Sequence, residues 1–306
     1  MKKAGFIISL IAVAAIIAAL ASCSDEPDVP GTVKPEESAS ASEPASTGTS
    51  QTQTYQSETE NTESTETTGT GSEETGPADG LPRSGSGYPE GYKPSPVPSE
   101  DPYIKTLTFF GDSTTYHLKA RGGIAGDKII HGKAYTVSLK YLSDLRIRTA
   151  SETDDDYKTV SDYFLTHHPG RLVVTVGLGG GVTYVQSGKL DRDGFMSYYK
   201  RMIGYIAEAS PETVVMLQSI FPVLETNGIG ANNEAIVEVN SWIREFADEN
   251  GLYYFDTHSV LTDENGALKS EYAVKKDSSG KADGYHITAA GYEAILNYII
   301  AYKYEG

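Results

Sequence analysis

The hydrophobic pattern divides the chain into an apolar start, a long polar stretch and a remainder in which apolar and polar positions alternate. In the remainder, five short apolar runs predict strands, and the amphipathic stretches among them predict helices. Strands that alternate with helices are typical of parallel βαβ units, which carry helices on both faces of the sheet. We therefore predict an α/β fold, a three-layer α/β/α sandwich with about five parallel strands in a flavodoxin-like order. The predicted strands are 104–110, 145–149, 171–176, 213–218 and 252–255, and the predicted helices are 156–166, 191–209, 232–249 and 289–302.

The polar stretch, residues 24–101, consists mainly of Ser, Thr, Glu, Gly and Pro, with almost no aliphatic side chains. Such a segment cannot bury enough apolar surface to offset the entropy lost on ordering, so we predict a disordered tether. Its r.m.s. reach is on the order of 50 Å. The folded domain is then predicted to span 102–306. Much of the formal net charge of −17 belongs to the tether, which argues against nucleic acid as a partner.

The apolar start has the features of an export signal. Two lysines precede an apolar run at residues 6–20, which is short for a membrane span. The run ends in Leu-Ala-Ser-Cys at residues 20–23, which resembles a bacterial lipobox, a signal whose cysteine is lipidated. We therefore predict a lipoprotein signal peptide at 1–23 and attachment of the protein to a membrane through Cys23. The alternatives are an ordinary signal peptide with an accidental cysteine and an uncleaved anchor helix. Cys23 is the only cysteine, so no internal disulfide is possible.

Two short motifs place reactive side chains beside predicted elements. Gly111-Asp112-Ser113 follows the first predicted strand, where a glycine permits a sharp turn that exposes the serine. Asp283 and His286 lie three residues apart, just before the last predicted helix. In open α/β sheets catalytic groups collect at the carboxyl ends of the strands, so we expect these groups to meet there. Together they would supply a nucleophile, a base and a carboxylate that orients the base.

This combination resembles the SGNH/GDSL hydrolase family, whose first block is a strand followed by Gly-Asp-Ser and whose last block is Asp-x-x-His. The resemblance covers roughly residues 103–304 and implies the three-layer fold predicted above. It also implies a serine esterase in which Ser113 is the nucleophile, His286 the general base and Asp283 the orienting acid. Such chemistry needs no cofactor, and the sequence has no Cys, His and carboxylate spacing that is typical of a metal site.

The resemblance is incomplete at the oxyanion hole, for which the family uses the nucleophile's amide, a second-block glycine amide and an asparagine side chain. Ser113 would supply the first of these donors, but Gly179 stands where the asparagine is expected. Residues 179–181 are all glycine, so the amides of Gly179 and Gly180 could replace the asparagine, with some positive φ angles in this loop. Without such a replacement the domain would be a weakened enzyme that binds rather than cleaves. Candidates for the second-block glycine are Gly122, Gly123 and Gly126.

Other side chains allow more than one interpretation. His117, about one helical turn beyond Ser113, could line the site, although we expect a surface position. His167 and His168 end a predicted helix, where imidazole suits the helix dipole better than a metal pair. Tyrosines near the motif loops could contact sugar rings, but packing is the commoner role of such residues. These tyrosines are Tyr116, Tyr184, Tyr272 and Tyr285, and a polar cluster of Asp256, His258 and Ser259 is expected to be loop structure.

Location and chemistry together lead to a functional expectation. We expect an extracytoplasmic serine ester hydrolase of the bacterial cell envelope that removes acyl groups, foremost acetyl, from glycans or other small esters. It is expected to act as a monomer, with neither a cofactor nor a nucleic acid partner. Lipase activity is not favoured, since the sequence has no evident apolar lid or interfacial helix. The alternative is a catalytically weakened or inactive domain that acts as a glycan-binding module of the cell envelope.

Overall fold

A computed structural model describes residues 84–304 of the 306-residue chain. The predicted signal peptide with Cys23, and residues 24–83 of the tether predicted at 24–101, lie outside the described residues. Within them the centre is a six-stranded sheet, with helices on both faces. The strands are β1 Leu107–Gly111, β2 Ile129–Gly132, β3 Ile147–Thr149, β4 Arg171–Thr175, β5 Val214–Gln218 and β6 Tyr253–Phe255. The α-helices are α1 Ser113–Tyr116, α2 Leu118–Arg121, α3 Val160–Phe164, α4 Thr183–Gln186, α5 Arg192–Ala209, α6 Asn233–Glu249, α7 His258–Leu261 and α8 Ala289–Ala301.

The strands are arranged in the order β3-β2-β1-β4-β5-β6. All neighbouring pairs are parallel except β2 and β3, which pair antiparallel. The five parallel strands alone therefore follow the flavodoxin-like order, in which the second strand lies outside the first and the other three follow on the opposite side. The predicted α/β three-layer fold is confirmed, with one antiparallel strand added at an edge.

The assignment of the second strand was wrong. The predicted strand at 145–149 exists as β3, but it runs antiparallel at the edge of the sheet. On that side of the sheet the parallel neighbour of β1 is β2. This strand has only four residues, two aliphatic side chains followed by His131 and Gly132. This stretch is too short to show a periodic pattern, and His131, although polar, is fully buried.

Two hydrophobic cores lie on opposite faces of the sheet. The pleat of β1 sends Phe109 and Phe110 into different cores, each at 1% exposure or less. The core that contains Phe110 includes the apolar sides of α5 and α6, whereas the core that contains Phe109 includes that of α8. The predicted helices at 191–209, 232–249 and 289–302 agree with α5, α6 and α8 to within a residue, whereas the helix predicted at 156–166 is limited to α3.

Residues 84–101, which we call the N-terminal strap, belong to the folded part, although the sequence pattern placed them in the tether. The Ser84 hydroxyl donates to the carbonyl of Tyr254 at 2.5 Å and accepts from the amide of Asp256 at 3.0 Å. Farther along, the side chain of Asn297 on α8 accepts from the Ser95 amide at 2.7 Å and donates to the Ser95 carbonyl at 3.0 Å. The predicted domain start at residue 102 is therefore too late, since the described residues from Ser84 onward already belong to the folded part.

None of the helices within residues 84–304 has both the length and the apolar character needed to cross a membrane.

Candidate active site

The turn after β1 presents Ser113 at the carboxyl edge of the sheet. Asp112 caps α1, its Oδ1 accepting from the Thr114 amide at 3.0 Å and from the Thr114 hydroxyl at 2.7 Å. A Cβ at Gly111 would lie 2.1 Å from Thr115 Oγ1 and 2.3 Å from the carbonyl oxygen of Thr175. Only glycine therefore lets the chain turn this closely past β4, and the turn places Ser113 at the first position of α1.

A second turn, just before α8, holds Asp283 and His286. Asp283 is 3% exposed, and its Oδ1 accepts from the amides of Tyr285 at 3.2 Å and His286 at 2.9 Å. Its Oδ2 lies 2.8 Å from His286 Nδ1. Gly284 between them has φ +74°, and a Cβ there would lie 2.7 Å from the carbonyl oxygen of Thr226. The three-residue spacing thus folds into a closed loop in which the carboxylate is fixed by backbone amides before it meets the imidazole.

The fold brings the two turns together. Ser113 Oγ lies 2.9 Å from His286 Nε2, and His286 Nδ1 lies 2.8 Å from Asp283 Oδ2. Because Nδ1 of neutral His286 donates to the carboxylate, Nε2 carries the lone pair and accepts from the serine hydroxyl. The predicted nucleophile, base and orienting acid therefore form one continuous hydrogen-bonded chain, in the geometry that nucleophilic catalysis by serine requires.

The surroundings shift the pKa values of Asp283 and Asp112 in opposite directions. Burial alone would raise the pKa of Asp283, but the hydrogen bonds from the His286 and Tyr285 groups outweigh it and lower that pKa. Asp283 is therefore ionised at neutral pH and can stabilise an imidazolium at His286. Burial raises the pKa of Asp112, against the opposing effect of its hydrogen bonds from Thr114. Asp112 caps a helix and does not touch the imidazole.

His117 contacts His286, the predicted general base, so the surface position expected for His117 was wrong. Its ring is half-buried, and its centroid lies 4.5 Å from that of His286, with the rings edge to face. The signal was present in the spacing, since His117 closes the first turn after Ser113 and its amide donates to the Ser113 carbonyl at 3.1 Å. One helical turn beyond the nucleophile is a neighbouring position on the same face.

The loop that follows β4 lies beside Ser113. Gly111 pairs with Thr175 in the parallel ladder, so both strands end at the same edge of the sheet. Next comes a π-helical turn, Leu178–Val182, in which the Val182 amide donates to the Gly177 carbonyl at 2.7 Å. Positive φ occurs at Gly177 (121°) and not within 179–181, so the positive φ angles expected there if the loop aims its amides at the oxyanion are not found. Gly179 and Gly180 follow Leu178 in the first part of the turn, where amides have no acceptor within the helix. Their oxyanion role stays a prediction.

The three glycines considered for the second block do not lie at the edge where Ser113 lies. Gly126 precedes the amino end of β2, which is the opposite edge of the sheet, and Gly122 and Gly123 end α2 on the way there. The turn Lys133–Tyr135 comes directly after the carboxyl end of β2. The parallel pairing of β1 and β2 puts this turn, and not those glycines, at the Ser113 edge.

The turn after β2 is backbone-strained and carries an exposed aromatic side chain. Ala134 and Tyr135 have φ angles of 53° and 59°, a left-handed conformation that costs L residues about 1–2 kcal/mol each. Tyr135 is 42% exposed, and its ring centroid lies 4.1 Å from that of Tyr116 on α1. Strain of this kind collects at functional sites, where surrounding structure holds it.

Of the other tyrosines that the sequence placed near the motif loops, two lie near this edge of the sheet and one packs elsewhere. Tyr285 lies beside the imidazole of His286, with 4.1 Å between ring centroids. Lys140 Nζ lies between the rings of Tyr141 and Tyr184, 5.8 Å and 6.0 Å from their centroids. This group, called the Lys140 platform, is close to the π-helical turn, because a Cβ at Gly180 would lie 3.1 Å from Cα of Ser138. Tyr272, by contrast, pairs with Lys269 and packs against the α8 core.

Most of the remaining polar residues have structural partners, whereas the buried Nε2 of His258 has none among the described residues. Ser259 Oγ donates to the Asp256 carbonyl and accepts from the Gly87 amide of the N-terminal strap. His168 Nδ1 lies 2.9 Å from Ser210 Oγ, and His167 Nδ1 lies 3.0 Å from the Tyr163 carbonyl oxygen. These residues hold loops and the strap and do not reach Ser113. His258, whose pKa burial lowers to about 4, begins α7.

Comparison with protein families matches residues 109–294 to the GDSL-like Lipase/Acylhydrolase family, which is more than half of the chain and contains both turns. The chain belongs to this family. Family membership makes the domain an ester hydrolase. The match begins within β1 and ends within α8, so it includes β2 to β6 and the carboxyl end of β1. None of the curated proteins compared with the chain matches it.

Solved structures similar to this GDSL-family chain are distant in sequence. A protein assigned as an acylhydrolase from Bacteroides fragilis is 19% identical, with a TM-score of 0.42 over 67% of this chain and 89% of that chain. A GDSL-like lipase from Bacteroides thetaiotaomicron is 17% identical, with a TM-score of 0.41 over 64% of this chain and 87% of that chain. The OSK domain of Drosophila Oskar is 14% identical, with a TM-score of 0.42 over 65% of this chain and 88% of that chain.

Proposed function

We propose that this GDSL-family domain is a serine esterase in which Ser113 attacks the ester, His286 acts as general base and Asp283 orients His286. The observation that carries the proposal is the unbroken chain of hydrogen bonds, 2.9 Å from Ser113 Oγ to His286 Nε2 and 2.8 Å from His286 Nδ1 to Asp283. Serine is a weak nucleophile near neutral pH unless a base removes its proton in the transition state.

The reaction proceeds in two halves on these residues. Ser113 Oγ bonds to the ester carbonyl carbon while its proton passes to His286 Nε2, and ionised Asp283 stabilises the resulting imidazolium. The imidazolium then gives the proton to the departing alcohol oxygen as the ester C–O bond breaks, leaving an acyl-serine. Water attacks the acyl-serine with the same base, which releases the carboxylic acid and restores the hydroxyl of Ser113.

For the substrate we propose acyl esters, foremost acetyl, carried on glycans. Exposed aromatic rings at the site edge support a sugar as the alcohol part, because flat rings offer apolar faces to pyranose rings. Tyr141 is 53% exposed, and together with half-buried Tyr184 it flanks Lys140 beside the π-helical turn. The choice of acetyl rests on the proposed location outside the cell, where acetylated envelope and environmental glycans occur.

For the location we propose the extracytoplasmic face of a bacterial membrane, with the protein held by lipid at Cys23. The support is the lipobox-like sequence at residues 20–23 and the polar composition of the segment that follows. A long polar tether would let a lipid-anchored domain sample a surface within about 50 Å of its anchor.

A second candidate function is glycan binding by a weakened enzyme. The observation that favours it is Gly179, which offers no side-chain donor to the oxyanion where the family uses asparagine. Loss of one oxyanion donor typically costs on the order of 10²–10³ in turnover, while substrate binding is little affected.

Replacement of the nucleophile tests the proposal. We expect Ser113→Ala and His286→Ala each to lower kcat for an aryl acetate by about 10⁴–10⁶-fold, and the double variant to lose little more. A fluorophosphonate probe should label the wild type but not Ser113→Ala. Ser241→Ala is a matched control, since Ser241 is exposed on α6 and bonds only to the Glu238 carbonyl.

The same proteins separate the two candidate functions. If wild type releases acetate from acetylated glycans, the esterase proposal holds and Ser113→Ala should abolish that release. If wild type binds acetylated glycans as tightly as Ser113→Ala but releases no acetate, the binding module is the better account. Probe labelling that survives Ser113→Ala would show that the nucleophile lies elsewhere.

A further inference from the structure

We propose that His117 is a positioning residue for His286, which keeps the base oriented between its two proton-transfer steps and itself stays uncharged. This inference rests on the proposed function of Ser113, His286 and Asp283. It concerns a residue outside both sequence motifs, whose contacts link α1 and α2 to the loop that carries the base.

The first observation is the packing around the imidazole of His286. Its centroid lies 4.5 Å from that of His117, edge to face, and 4.1 Å from that of Tyr285. His286 must accept a proton from Ser113 and return it to a leaving group at a slightly different position. Misplacement of a catalytic group by about 1 Å can cost on the order of 10²-fold in rate. The two neighbouring rings therefore limit how far the imidazole can rotate away from Ser113 and Asp283.

The second observation is how His117 is held. Arg121 Nη1 lies 3.4 Å from His117 Nδ1 and donates to the carbonyl oxygen of Ile287 at 3.0 Å. Ile287 directly follows His286, so Arg121 connects the His117 ring to the backbone of the base's own loop. A guanidinium has donors only, so His117 Nδ1 must be the acceptor and the ring proton must lie on Nε2. The contact is therefore compatible with neutral His117 and not with its protonated form.

The surroundings keep His117 neutral. Burial, followed by His286 and Arg121, lowers the pKa of His117 to about 4, while Asp283 acts in the opposite direction. At neutral pH His117 is therefore uncharged. A second imidazolium here would oppose the charge that His286 must carry in the transition state. The ionisable groups around this pair are Asp112, Tyr116 and Arg121 on the nucleophile side, Asp283 and Tyr285 in the base loop, and Tyr292 on α8.

Variants of His117 distinguish ring packing from charge. We expect His117→Ala to lower kcat for an aryl acetate about tenfold with little change in KM. His117→Phe keeps an aromatic ring but cannot accept from Arg121, so it should restore kcat only in part. His117→Lys adds a charge beside the base, so the acid limb of the kcat profile should move about one pH unit lower. His117→Met has a similar length without the charge and should leave the limb where it is in wild type. His168→Ala, far from the site, serves as the control that leaves activity unchanged.

Because Arg121 holds His117, we expect the losses in kcat caused by changing the two residues not to add up. Arg121→Met should lower kcat in the same direction as His117→Ala, and the double variant should lose no more than the worse single variant, because both changes remove one connected unit. Full additivity of the two losses would contradict the proposed link. Thermal denaturation of each variant checks folding, and His117→Leu replaces His117→Ala if the latter does not fold.

A readout without turnover separates this inference from the proposed function. In the Ser113→Ala background, the low-field NMR signal of the His286 Nδ1 proton should broaden in His117→Ala and stay sharp in His117→Phe. Wild-type kcat in His117→Ala, or an unchanged proton signal, would overturn the positioning role. Equal losses in His117→Phe and His117→Ala would also overturn it, since the ring would then not be what matters. Failure of the Ser113→Ala activity test would instead overturn the proposed nucleophile.

Discussion

Gly179 is the residue that stands where the family resemblance predicts an oxyanion-binding asparagine. A Cβ built at this position has no heavy atom within 4 Å, and the residue is exposed. Its φ does not lie in the left-handed region, which within 177–181 is occupied by Gly177 alone. No backbone strain and no crowding therefore oppose a side chain at position 179. The absence of the asparagine is a chemical difference, not a steric requirement of the loop.

This geometry makes Gly179→Asn a direct test of the oxyanion hole. We expect kcat for an aryl acetate to rise about tenfold with KM nearly unchanged, because the added amide bonds the oxyanion mainly in the transition state. The gain stays below the 10²–10³ of an ideally placed donor, since the new side chain must also lose rotamer freedom. The measurement is steady-state kinetics of both proteins on one substrate.

Gly170→Asn provides the matched control for that variant. Gly170 also has open space around its Cβ and a φ outside the left-handed region, but it precedes the amino end of β4, at the opposite edge of the sheet. The Gly170→Asn variant should leave kcat for the aryl acetate unchanged. A fall in kcat in Gly179→Asn alone would indicate that backbone amides of the π-helical turn already complete the hole and that the asparagine disturbs them.

Single residues differed in how far sequence could place them. Ser113, Asp283 and His286 were predictable because each motif folds locally, through a tight glycine turn or amide bonds to a carboxylate. His117 was not placed correctly, because its burial depends on a ring 169 positions away in the chain. The loop after β2 could not be assigned at all, since nothing in Lys-Ala-Tyr indicates two successive left-handed residues.

At the scale of elements, the amino-acid composition of the N-terminal strap does not reveal that the strap belongs to the folded domain. It is rich in Pro, Gly and Ser like the tether before it, yet it makes directed hydrogen bonds with β6 and α8. Tyr88 and Tyr92 stack on each other at 5.4 Å, and the Tyr92 hydroxyl bonds to Asn297 at 3.0 Å. Sparse but specific partners order such a segment where an average over composition predicts disorder.

Deletion of the strap should therefore weaken the domain. We expect residues 102–306 alone to be less stable than residues 84–306 by about 2–4 kcal/mol, from several hydrogen bonds of about 1 kcal/mol each and the lost apolar cover of α8. Urea denaturation of the two proteins measures the difference. The full chain after signal removal should match 84–306, because the tether contributes nothing in this account. Equal stability of 84–306 and 102–306 would show that the strap is not part of the folded unit.

The sheet shows where element prediction succeeds and where it stops. The long amphipathic helices α5 and α6 were placed nearly to the residue, because a repeat of buried positions over four or more turns is a strong signal. The four-residue β2 has no such repeat, and pairing on both sides stabilises it. Whether a strand runs parallel or antiparallel to its neighbour is also decided by tertiary structure. The strand at 145–149 was therefore predicted correctly as a strand but wrongly as a parallel one.

At the scale of the whole molecule, the candidate site is contained in one folded unit. Ser113, His286, Asp283 and His117 all lie within residues 84–304, on α1, at the junction of α1 and α2, and on the loop before α8. The proposed anchor at Cys23 lies outside the described residues and is separated from this unit by 60 residues of mostly polar chain, 24–83. Anchoring and catalysis are thus expected to be independent, with the tether setting only where the enzyme acts.

Replacement of Cys23 tests that independence. We expect Cys23→Ala to move the protein from the membrane fraction to the soluble exported fraction, or to leave the signal uncleaved, because the acyl chains that hold it cannot be attached. Activity per molecule toward a soluble aryl acetate should equal that of wild type, since no site residue is touched. Ser22→Ala is the matched control and should stay anchored. Mass spectrometry of wild type should find the mature chain beginning at an acylated Cys23. An unmodified chain that begins at another residue would exclude the anchor, while leaving the assignment of Ser113 untouched.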